Sequence, residues 1–207
     1  MSATNTIQSL NIVVLGAPGV GKSCIISQFL HHKFLESSGF TIELEQQSTV
    51  LADKKRQISL DIVDTPGGYC FQERRRMAIA AGDAFILVFS LDKECSFETV
   101  AMLRDEIVRI KKTTKVPILL VGNKSDIDDE KRITSCKGAK LFAKKEWKTK
   151  YVEACAMDHN SVTEVFRKVL KLAKVKVQLS SHAYDLVQFP KGARWLTSSL
   201  GTCSAPI

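Results

Sequence analysis

Near its amino terminus the sequence reads Gly16-Ala17-Pro18-Gly19-Val20-Gly21-Lys22-Ser23. This stretch matches the pattern G-x-x-x-x-G-K-[ST], in which glycines let backbone N–H groups wrap closely around phosphate oxygens. The apolar run Leu10 to Leu15 before it and the helical pattern Lys22 to Leu30 after it are the flanks that such a loop requires. We therefore predict a phosphate-binding loop rather than a chance glycine turn. Lys22 would reach the phosphates, and the Ser23 hydroxyl would ligate Mg²⁺.

Strand patterns recur along the rest of the chain, with helical patterns between them. Dense apolar runs at Ala84 to Ser90 and at Pro117 to Val121 are typical of buried parallel strands. Residues 43–52 and 56–63 favour two further strands, and Tyr151 to Ala156 favours a short last strand. This alternation predicts an α/β domain whose mostly parallel six-stranded sheet carries helices on both faces.

Helical periodicity ends well before the carboxyl terminus. The last apolar stripe at helical spacing comprises Val162, Val165, Phe166, Val169 and Leu172. We therefore predict an amino-terminal extension over 1–8, one domain over 9–177 and a poorly ordered extension over 178–207. The apolar residues of that last extension leave a docked segment or a partner motif as the alternative.

The composition is that of an ordinary globular protein and excludes several classes. The 207 residues are 44% hydrophobic and 25% charged, which argues against collagen-like, disordered and coiled-coil chains. The longest apolar run, Ala84 to Phe89, is far too short to span a bilayer. The first residues lack a secretory signal pattern and Ser2 stands in place of Gly, so we expect neither a secretory signal nor myristoylation. The six cysteines show no C-x-x-C spacing, so we expect a reduced chain without structural zinc.

The net charge of +8 is concentrated in one segment. Residues 131–150 hold eight basic residues against the single acid Glu146. A solvated helix face is the simpler interpretation of this segment. The alternative is a surface that attracts anionic lipid or nucleic acid.

A second motif, Asn123-Lys124-Ser125-Asp126, follows an apolar strand and predicts which base is bound. Asp126 is able to accept hydrogen bonds from the ring N–H and the exocyclic amine of guanine, whereas adenine offers no such donor pair. Lys124 is long enough to lay its stem along the base plane. A polar loop after a strand is the alternative. A P-loop kinase for a small substrate would also use Gly16 to Ser23, but the second motif argues against it.

Together the two motifs resemble the Ras superfamily of small GTPases, and further segments agree in order. Asp64-Thr65-Pro66-Gly67 resembles the D-x-x-G motif, which implies that Asp64 reaches Mg²⁺ through water and that the Gly67 N–H contacts the γ-phosphate. Thr41-Ile42-Glu43 is similar to the Ras effector segment, with its threonine as Mg²⁺ ligand and γ-phosphate sensor. Glu153-Ala154-Cys155-Ala156 resembles the last base loop, whose final N–H would meet the guanine oxygen.

This resemblance implies a full set of site residues. Lys22, Thr41 and Gly67 would act in catalysis, and Ser23, Thr41 and Asp64 would hold the metal. Phe34 would pack on the base. The residues implied to bind the guanine nucleotide are Gly16, Ala17, Pro18, Gly19, Val20, Gly21, Lys22, Ser23, Cys24, Phe34, Thr41, Asp64, Gly67, Asn123, Lys124, Asp126, Cys155, Ala156 and Met157.

Within the superfamily, the segment from Gly82 to Asp92 is most similar to the Ras-dva and Dexras/Rhes branch. The resemblance implies a GTP/GDP switch in signal transduction that binds GTP or GDP with Mg²⁺, and effectors that read residues 36–45 and 66–76. It also implies an exchange factor and a GTPase-activating protein as partners, and no nucleic acid. We expect a cytoplasmic protein whose contact with the inner face of the plasma membrane is weak and electrostatic.

Several positions depart from the family pattern. Gly68 stands where the family has the glutamine that positions the attacking water, so slow intrinsic GTP hydrolysis is expected. A module that holds the nucleotide with negligible turnover is the alternative. Pro18 and Pro66 either alter the response to activating proteins or fit loops that are already shaped for them. Met157 replaces a lysine that normally covers the base, and its thioether chain supplies similar apolar contact.

Three further features concern the residues after Gly68, the carboxyl terminus and two of the cysteines. Gln72 and the run Arg74 to Arg76 are wrongly spaced to replace the missing glutamine. We expect them to form a solvated surface within residues 66–76, the segment that the resemblance implies is switch II. The chain ends Cys203-Ser204-Ala205-Pro206-Ile207, one residue too long for a C-a-a-X box, so no farnesyl anchor is expected. Cys24 and Cys155 are expected to contribute their backbone rather than their sulfur.

Overall fold

A computed structural model describes residues 8–36, 44–52, 57–67, 72–132 and 136–175. A short 3-10 turn, Asp129–Lys131, precedes the fourth helix. In chain order the strands and helices are β1 (Gln8–Gly16), α1 (Lys22–His31), β2 (Glu45–Ala52), β3 (Gln57–Asp64), α2 (Gln72–Ala81), β4 (Ala84–Ser90), α3 (Glu94–Lys111), β5 (Ile118–Asn123), α4 (Cys136–Lys145), β6 (Lys150–Ala154) and α5 (His159–Leu172).

The strands form one six-stranded sheet in the order β2-β3-β1-β4-β5-β6. Neighbouring strands run parallel except for β2 and β3, which pair antiparallel at one edge. The helices α3 and α4 provide the crossovers between the parallel neighbours β4, β5 and β6, whereas α2 connects β3 to β4 on the two sides of β1. The predicted α/β fold with a mostly parallel sheet is therefore confirmed.

The central strand β4 is covered on both faces. All seven of its residues are buried, and successive side chains point to opposite sides of the sheet. Ile86 and Val88 belong to one hydrophobic cluster, whereas Phe85 and Leu87 belong to the other. Burying each of these larger side chains contributes about 1.5–3 kcal/mol to folding.

The helices divide between these two clusters. On one face, Phe29 of α1 and Phe166 of α5 stack with their ring centroids 3.7 Å apart. On the other face, α2, α3 and α4 contribute Ile79, Ile107 and Ala143. None of the helices in the described ranges has the length and apolar content needed to cross a membrane.

The register brings both sequence motifs to one edge of the sheet. Gly16, at the end of β1, pairs with Val88, while Asn123, at the end of β5, pairs with Ser90 of the same strand β4. The neighbouring strand β3 ends at Asp64. Open α/β sheets bind ligands at the carboxyl ends of their strands, and the loops that follow these strands carry the predicted site.

Some element boundaries differ from the sequence-based expectation. No pattern predicts α2, because only Ala78 and Ile79 of that helix are buried. The predicted last strand is too long: β6 ends at Ala154, and the N–H of Cys155 bonds to the Ser161 hydroxyl instead of a neighbouring strand. Gln8, expected in the amino-terminal extension, is the first residue of β1.

The arginines of α2 also differ from the expectation of a solvated surface. Arg75 Nε donates to Glu106 Oε2 at 2.9 Å, and its side chain is only 14% exposed. Arg76 pairs with Glu73 at 2.8 Å and lies 3.6 Å from Glu106. The ion pairs with Glu106 join α2 to α3, so the prediction was wrong for Arg75 and only partly right for Arg76.

Candidate nucleotide-binding site

The phosphate loop has no room for a side chain at two of its glycines. A side-chain carbon on Gly16 would lie 2.1 Å from the carbonyl oxygen of Val88, and one on Gly21 would lie 2.3 Å from the Asn123 amide nitrogen. Gly21 also has a φ of 94°, which glycine adopts without strain. The loop is thereby held against β4 and the second motif, and α1 begins directly after it at Lys22. A helix N-terminus favours anionic ligands.

Lys22 is a buried cation inside this loop. Its Nζ atom donates to the carbonyl oxygens of Gly16 at 3.1 Å and Ala17 at 3.0 Å. Burial lowers the pKa of Lys22 to about 8, although the Asp64 carboxylate acts to raise it. The carbonyls and the carboxylate therefore do not fully compensate the buried charge. An anionic phosphate oxygen would supply the missing stabilisation.

Ser23 and Asp64 form a second polar centre next to Lys22. The Ser23 hydroxyl donates to Asp64 Oδ2 at 2.5 Å, and Asp64 Oδ1 is buried without a hydrogen-bond partner among the described residues. Burial raises the pKa of Asp64, whereas the hydrogen bond from Ser23 and the charge of Lys22 lower it. The carboxylate of Glu45, which is paired with Asp64 across the sheet, raises the pKa further. Hydroxyl and carboxylate oxygens are the ligands that Mg²⁺ prefers, so these two residues fit that ion.

Asn123 joins the second motif to the phosphate loop. Its side chain is buried, and Nδ2 donates to the carbonyl oxygen of Val20 at 2.8 Å. On the other side, the Leu91 N–H donates to the Asn123 carbonyl at 3.1 Å. The next residue, Lys124, has a φ of 66°, so the chain turns sharply where the strand ends.

The ammonium group of Lys124 is held by Asp92 at 2.8 Å. Burial acts to raise the pKa of Asp92, but hydrogen bonds from Lys124 and Ser90 outweigh it, and the net pKa is lowered. The carboxylate is thus kept in its charged form as a partner for the lysine. The head of Lys124 is anchored, and its hydrocarbon stem is the part available to a base.

Asp126 and Cys155 bring the two base loops together. Burial raises the pKa of the Cys155 thiol, and a hydrogen bond to the Asp126 carboxylate raises it further. The Ser125 N–H donates to the Ala154 carbonyl at 3.0 Å, which fixes the same two loops. The thiol of Cys155 thus has a partner in addition to the backbone role that the sequence predicts for this residue.

The sulfur of Cys24 also makes a contact that the sequence did not predict. This buried thiol donates to the carbonyl oxygen of Leu35 at 3.6 Å, which ties α1 to the chain that leads into the predicted effector-binding segment 36–45. The neighbouring Phe34 is half-buried and packs against the core cluster that contains Ala156. Met157 is 54% exposed, and its carbonyl accepts from Gln28 Nε2 at 3.4 Å.

The D-x-x-G segment starts against the phosphate loop. The Thr65 hydroxyl donates to the Val14 carbonyl at 2.7 Å, and Thr65 and Pro66 are both buried. A side-chain carbon on Gly67 would lie 2.5 Å from the backbone nitrogen of Pro18, so the backbones of these two residues are in close contact. The predicted Thr41 and Gly68 lie outside the described residues.

Two basic residues near the site were missed by the sequence analysis. Lys93 Nζ lies 3.7 Å from the position that a side-chain carbon would take on Gly19, so an ammonium group stands beside the phosphate loop. Arg132 donates to the Ser125 carbonyl at 2.7 Å and pairs with Glu153 at 3.1 Å, which braces the second motif. No local pattern marks either residue, because folding alone brings them to the site.

Comparison with known proteins agrees with this geometry. A sequence profile of the Ras family matches residues 11–175, which include both motifs and all the helices described above. The chain belongs to the Ras family. It is also 35% identical over 192 residues to the GTP-binding protein Rhes of Mus musculus, an alignment that covers 89% of this chain and 72% of that protein. As a Ras family member, this chain is a small GTP-binding signalling protein, and its relatives are GTPases that act with effectors, exchange factors and activating proteins.

Proposed function

We propose that this Ras family chain is a GTP/GDP switch that selects guanine through Asp126 and hydrolyses GTP slowly. The observation that supports this most strongly is the hydrogen bond from the Asn123 carboxamide to the Val20 carbonyl. It joins the second motif to the phosphate loop at one edge of the sheet. Lys22 and Asp126 then stand on two adjoining loops that a single nucleotide would bridge.

Guanine selectivity would come from the Asp126 carboxylate. It would accept the ring N–H and the exocyclic amine of guanine, whereas adenine would leave it without donors. The Cys155 thiol, which already bonds to this carboxylate, would orient it. Lys124, anchored on Asp92, would cover the base with its stem.

The phosphate end would combine Lys22 with the backbone of the phosphate loop and of Gly67. Ser23 and Asp64, together with Thr41, would hold Mg²⁺, which when bound neutralises charge on the phosphate oxygens. Loss of the γ-phosphate would remove the contacts of Thr41 and Gly67. Residues 36–45 and 66–76 would then be released, which is the change that effectors read.

Slow hydrolysis follows from Gly68, which has no side chain to orient the attacking water. The nearby Arg75 is held by Glu106 on α3 and is therefore a poor substitute. The same glycine favours the second candidate, a protein that holds the nucleotide with negligible turnover.

The proposal also covers the binding partners and the cellular location of the protein. The similarity to the GTP-binding protein Rhes supports a place in the Rhes-like branch. An exchange factor and an activating protein would act at the switch segments, where exposed Pro18 and buried Pro66 would either alter or accommodate their binding. We expect a cytoplasmic location with weak electrostatic contact at the inner face of the plasma membrane.

The first experiment identifies the nucleotide that co-purifies with the full chain and follows phosphate release in a single turnover after loading with GTP. Co-purified GDP or GTP supports guanine binding, and an adenine nucleotide would contradict it. Asp126→Asn is expected to shift preference from guanosine to xanthosine nucleotides, because the amide donates to the xanthine carbonyl. Asp128→Asn, at an exposed carboxylate nearby, is the matched control and should leave the preference unchanged.

The second experiment compares Gly68→Gln with Gly68→Ala. The glutamine is expected to raise the single-turnover rate by about tenfold or more, and the alanine is not, because only the amide is able to orient water. Equal rates in both variants would contradict the proposed cause of slow hydrolysis. Undetectable release in the unchanged chain would favour the nucleotide-holding candidate.

A further inference from the structure

A cleft lined by basic side chains lies at the opposite end of the sheet from the nucleotide site. It has a volume of about 430 Å³ and opens between α3, the segment before β5, and the turn from α4 to β6. Ile118, the first residue of β5, lines this cleft, whereas Asn123 ends the same strand at the second motif. At ~3.3 Å per residue, the strand separates the two sites by roughly 16 Å.

The positive charge of this cleft is concentrated and largely unpaired. The basic side chains that line it are Arg104, Lys115, Lys144, Lys148 and Lys150, and no acidic residue of the described ranges lines it. Arg104 pairs with the exposed Asp105 at 2.8 Å. Within the described part of the chain, no carboxylate lies at ion-pair distance from the four lysines. All four lysines are exposed, so their ammonium groups are accessible to an anionic ligand.

Two other basic residues of the 131–150 segment behave differently. Lys131 pairs with Asp128 at 3.1 Å, and Arg132 pairs with Glu153 beside the second motif. The fold therefore separates these two paired residues from Lys144, Lys148 and Lys150, which line the cleft. The cleft adds cations from α3 and from the segment before β5, which favours the anion-attracting interpretation there.

The walls of the cleft are held in place by contacts that do not involve the lysines. The Thr149 N–H donates to the Ala143 carbonyl at 3.0 Å, which fixes the turn from α4 to β6. Trp147 stacks on Phe97 with ring centroids 6.2 Å apart, and the Arg104 guanidinium lies 6.0 Å from the Trp147 ring. The backbone that carries the lysines is therefore fixed, and only their side chains have to be ordered when a ligand binds.

These features select a small ligand with several phosphates. Lysine ammonium groups act as compact point charges that suit phosphate oxygens, and the volume suits a ligand of headgroup size. Nucleic acid fits less well, because Trp147 is the one aromatic side chain among the described residues that lines the cleft and it is already stacked on Phe97.

The chain's own carboxyl-terminal extension is not a suitable occupant. Residues 176–207 carry Lys176, Lys191 and Arg194 against the single acid Asp185. A segment with a net positive charge would be repelled by the unpaired lysines of the cleft. An anion from outside the chain is therefore a better occupant than this segment.

We propose that this cleft binds a small headgroup with two or more phosphates, of the inositol phosphate kind. The chemistry at the cleft is the same whether the headgroup is free or carried on a lipid. Binding there leaves the nucleotide site and the start of switch II uncovered, because both lie at the other end of the sheet. A lipid-borne headgroup would thus hold the protein at a membrane with its nucleotide edge accessible.

The test uses the full chain loaded with GDP. Soluble inositol trisphosphate is titrated by calorimetry, and co-sedimentation is measured with phosphatidylcholine vesicles that carry phosphatidylinositol bisphosphate. Vesicles with phosphatidylserine at equal total charge form the comparison. Lys144→Gln/Lys148→Gln removes two cleft cations. Lys140→Gln/Lys145→Gln removes two exposed cations of the same segment that do not line the cleft, and it is the matched control.

The cleft variant is expected to lose at least about tenfold in affinity for the trisphosphate, and the control less than about threefold. Binding of both the soluble and the vesicle form supports the headgroup chemistry, and binding of only the vesicle form assigns a lipid source. Equal losses in both variants would overturn the proposal. So would equal binding to phosphatidylserine vesicles, or stronger competition by a single-stranded RNA than by the trisphosphate.

Discussion

The ammonium group of Lys93 lies 3.7 Å from the position that a side-chain carbon would take on Gly19. This places a cation from the start of α3 beside the exposed side of the phosphate loop. Lys22 serves the same loop from inside, but it is buried and bound to backbone carbonyls. The two lysines therefore approach a bound phosphate chain from different sides.

Replacing Lys93 with glutamine is expected to weaken nucleotide binding modestly. The side chain is exposed, so a loss of about two- to fivefold in GDP affinity is expected, and the loss should shrink at high salt. The dissociation rate of a fluorescent GDP analogue, measured at low and high ionic strength, checks this. Lys112→Gln, at the other end of α3, is the control that removes an equal charge away from the loop. Identical rates in the two variants would show that Lys93 does not contact the phosphates.

Replacing Asn123 with alanine is expected to release nucleotide about tenfold to a hundredfold faster. The change removes the bond to Val20 and leaves that carbonyl unsatisfied, and a lost buried hydrogen bond costs about 1–3 kcal/mol. The dissociation rate and the thermal unfolding midpoint of the free protein are measured together. A drop in the midpoint with an unchanged dissociation rate would mean that the bond stabilises the fold without shaping the site.

Nucleotide affinity is expected to fall as the pH rises through about 8, because the phosphates need the charged form of Lys22. Bound phosphate favours the ammonium, so binding takes up a proton where free Lys22 is deprotonated. The uptake should be about half a proton per GDP at pH 8 and about a tenth at pH 7. Calorimetry in two buffers of different ionisation enthalpy measures it directly. No uptake at pH 8 would show that the buried lysine keeps its usual pKa.

Lys22 also makes the free energy of unfolding of the nucleotide-free protein depend on pH. The folded chain releases the Lys22 proton near pH 8, and the unfolded chain does so near 10.5. Between these values the unfolded state binds more protons, so the contribution of Lys22 to the free energy of unfolding rises with pH across this window. Saturating GDP should remove that rise, because the phosphates bring the folded-state pKa back up.

Sequence patterns could predict the sheet and the two motifs because each depends on local physical rules. Buried parallel strands need dense apolar runs such as β4, and a phosphate loop needs glycines at fixed spacing before a helix. Helix α2 was not predicted because it buries few residues and because its arginines interrupt the helical spacing of apolar residues. Arg75 was misjudged because its partner, Glu106, is far away in sequence.

The missed parts of the site share one cause. Lys93 beside Gly19, and Cys155 bonded to Asp126, join residues that only the strand order brings together. No single stretch of sequence contains both members of either pair. The type of site could therefore be predicted from two motifs, whereas the side chains that support it needed the fold.

Replacing Cys155 with alanine is expected to lower the affinity for guanine nucleotides by about three- to tenfold. The reason is that the Asp126 carboxylate loses the thiol donor that orients it. Cys155→Ser keeps a donor at the same place and should retain most of the affinity. Competition of GDP and ADP against a fluorescent GDP analogue measures both affinity and selectivity. Cys95→Ala, at an exposed thiol on α3, is the control. If the alanine and serine variants bound GDP equally, the thiol would have no role beyond filling space, and the backbone interpretation of Cys155 would stand.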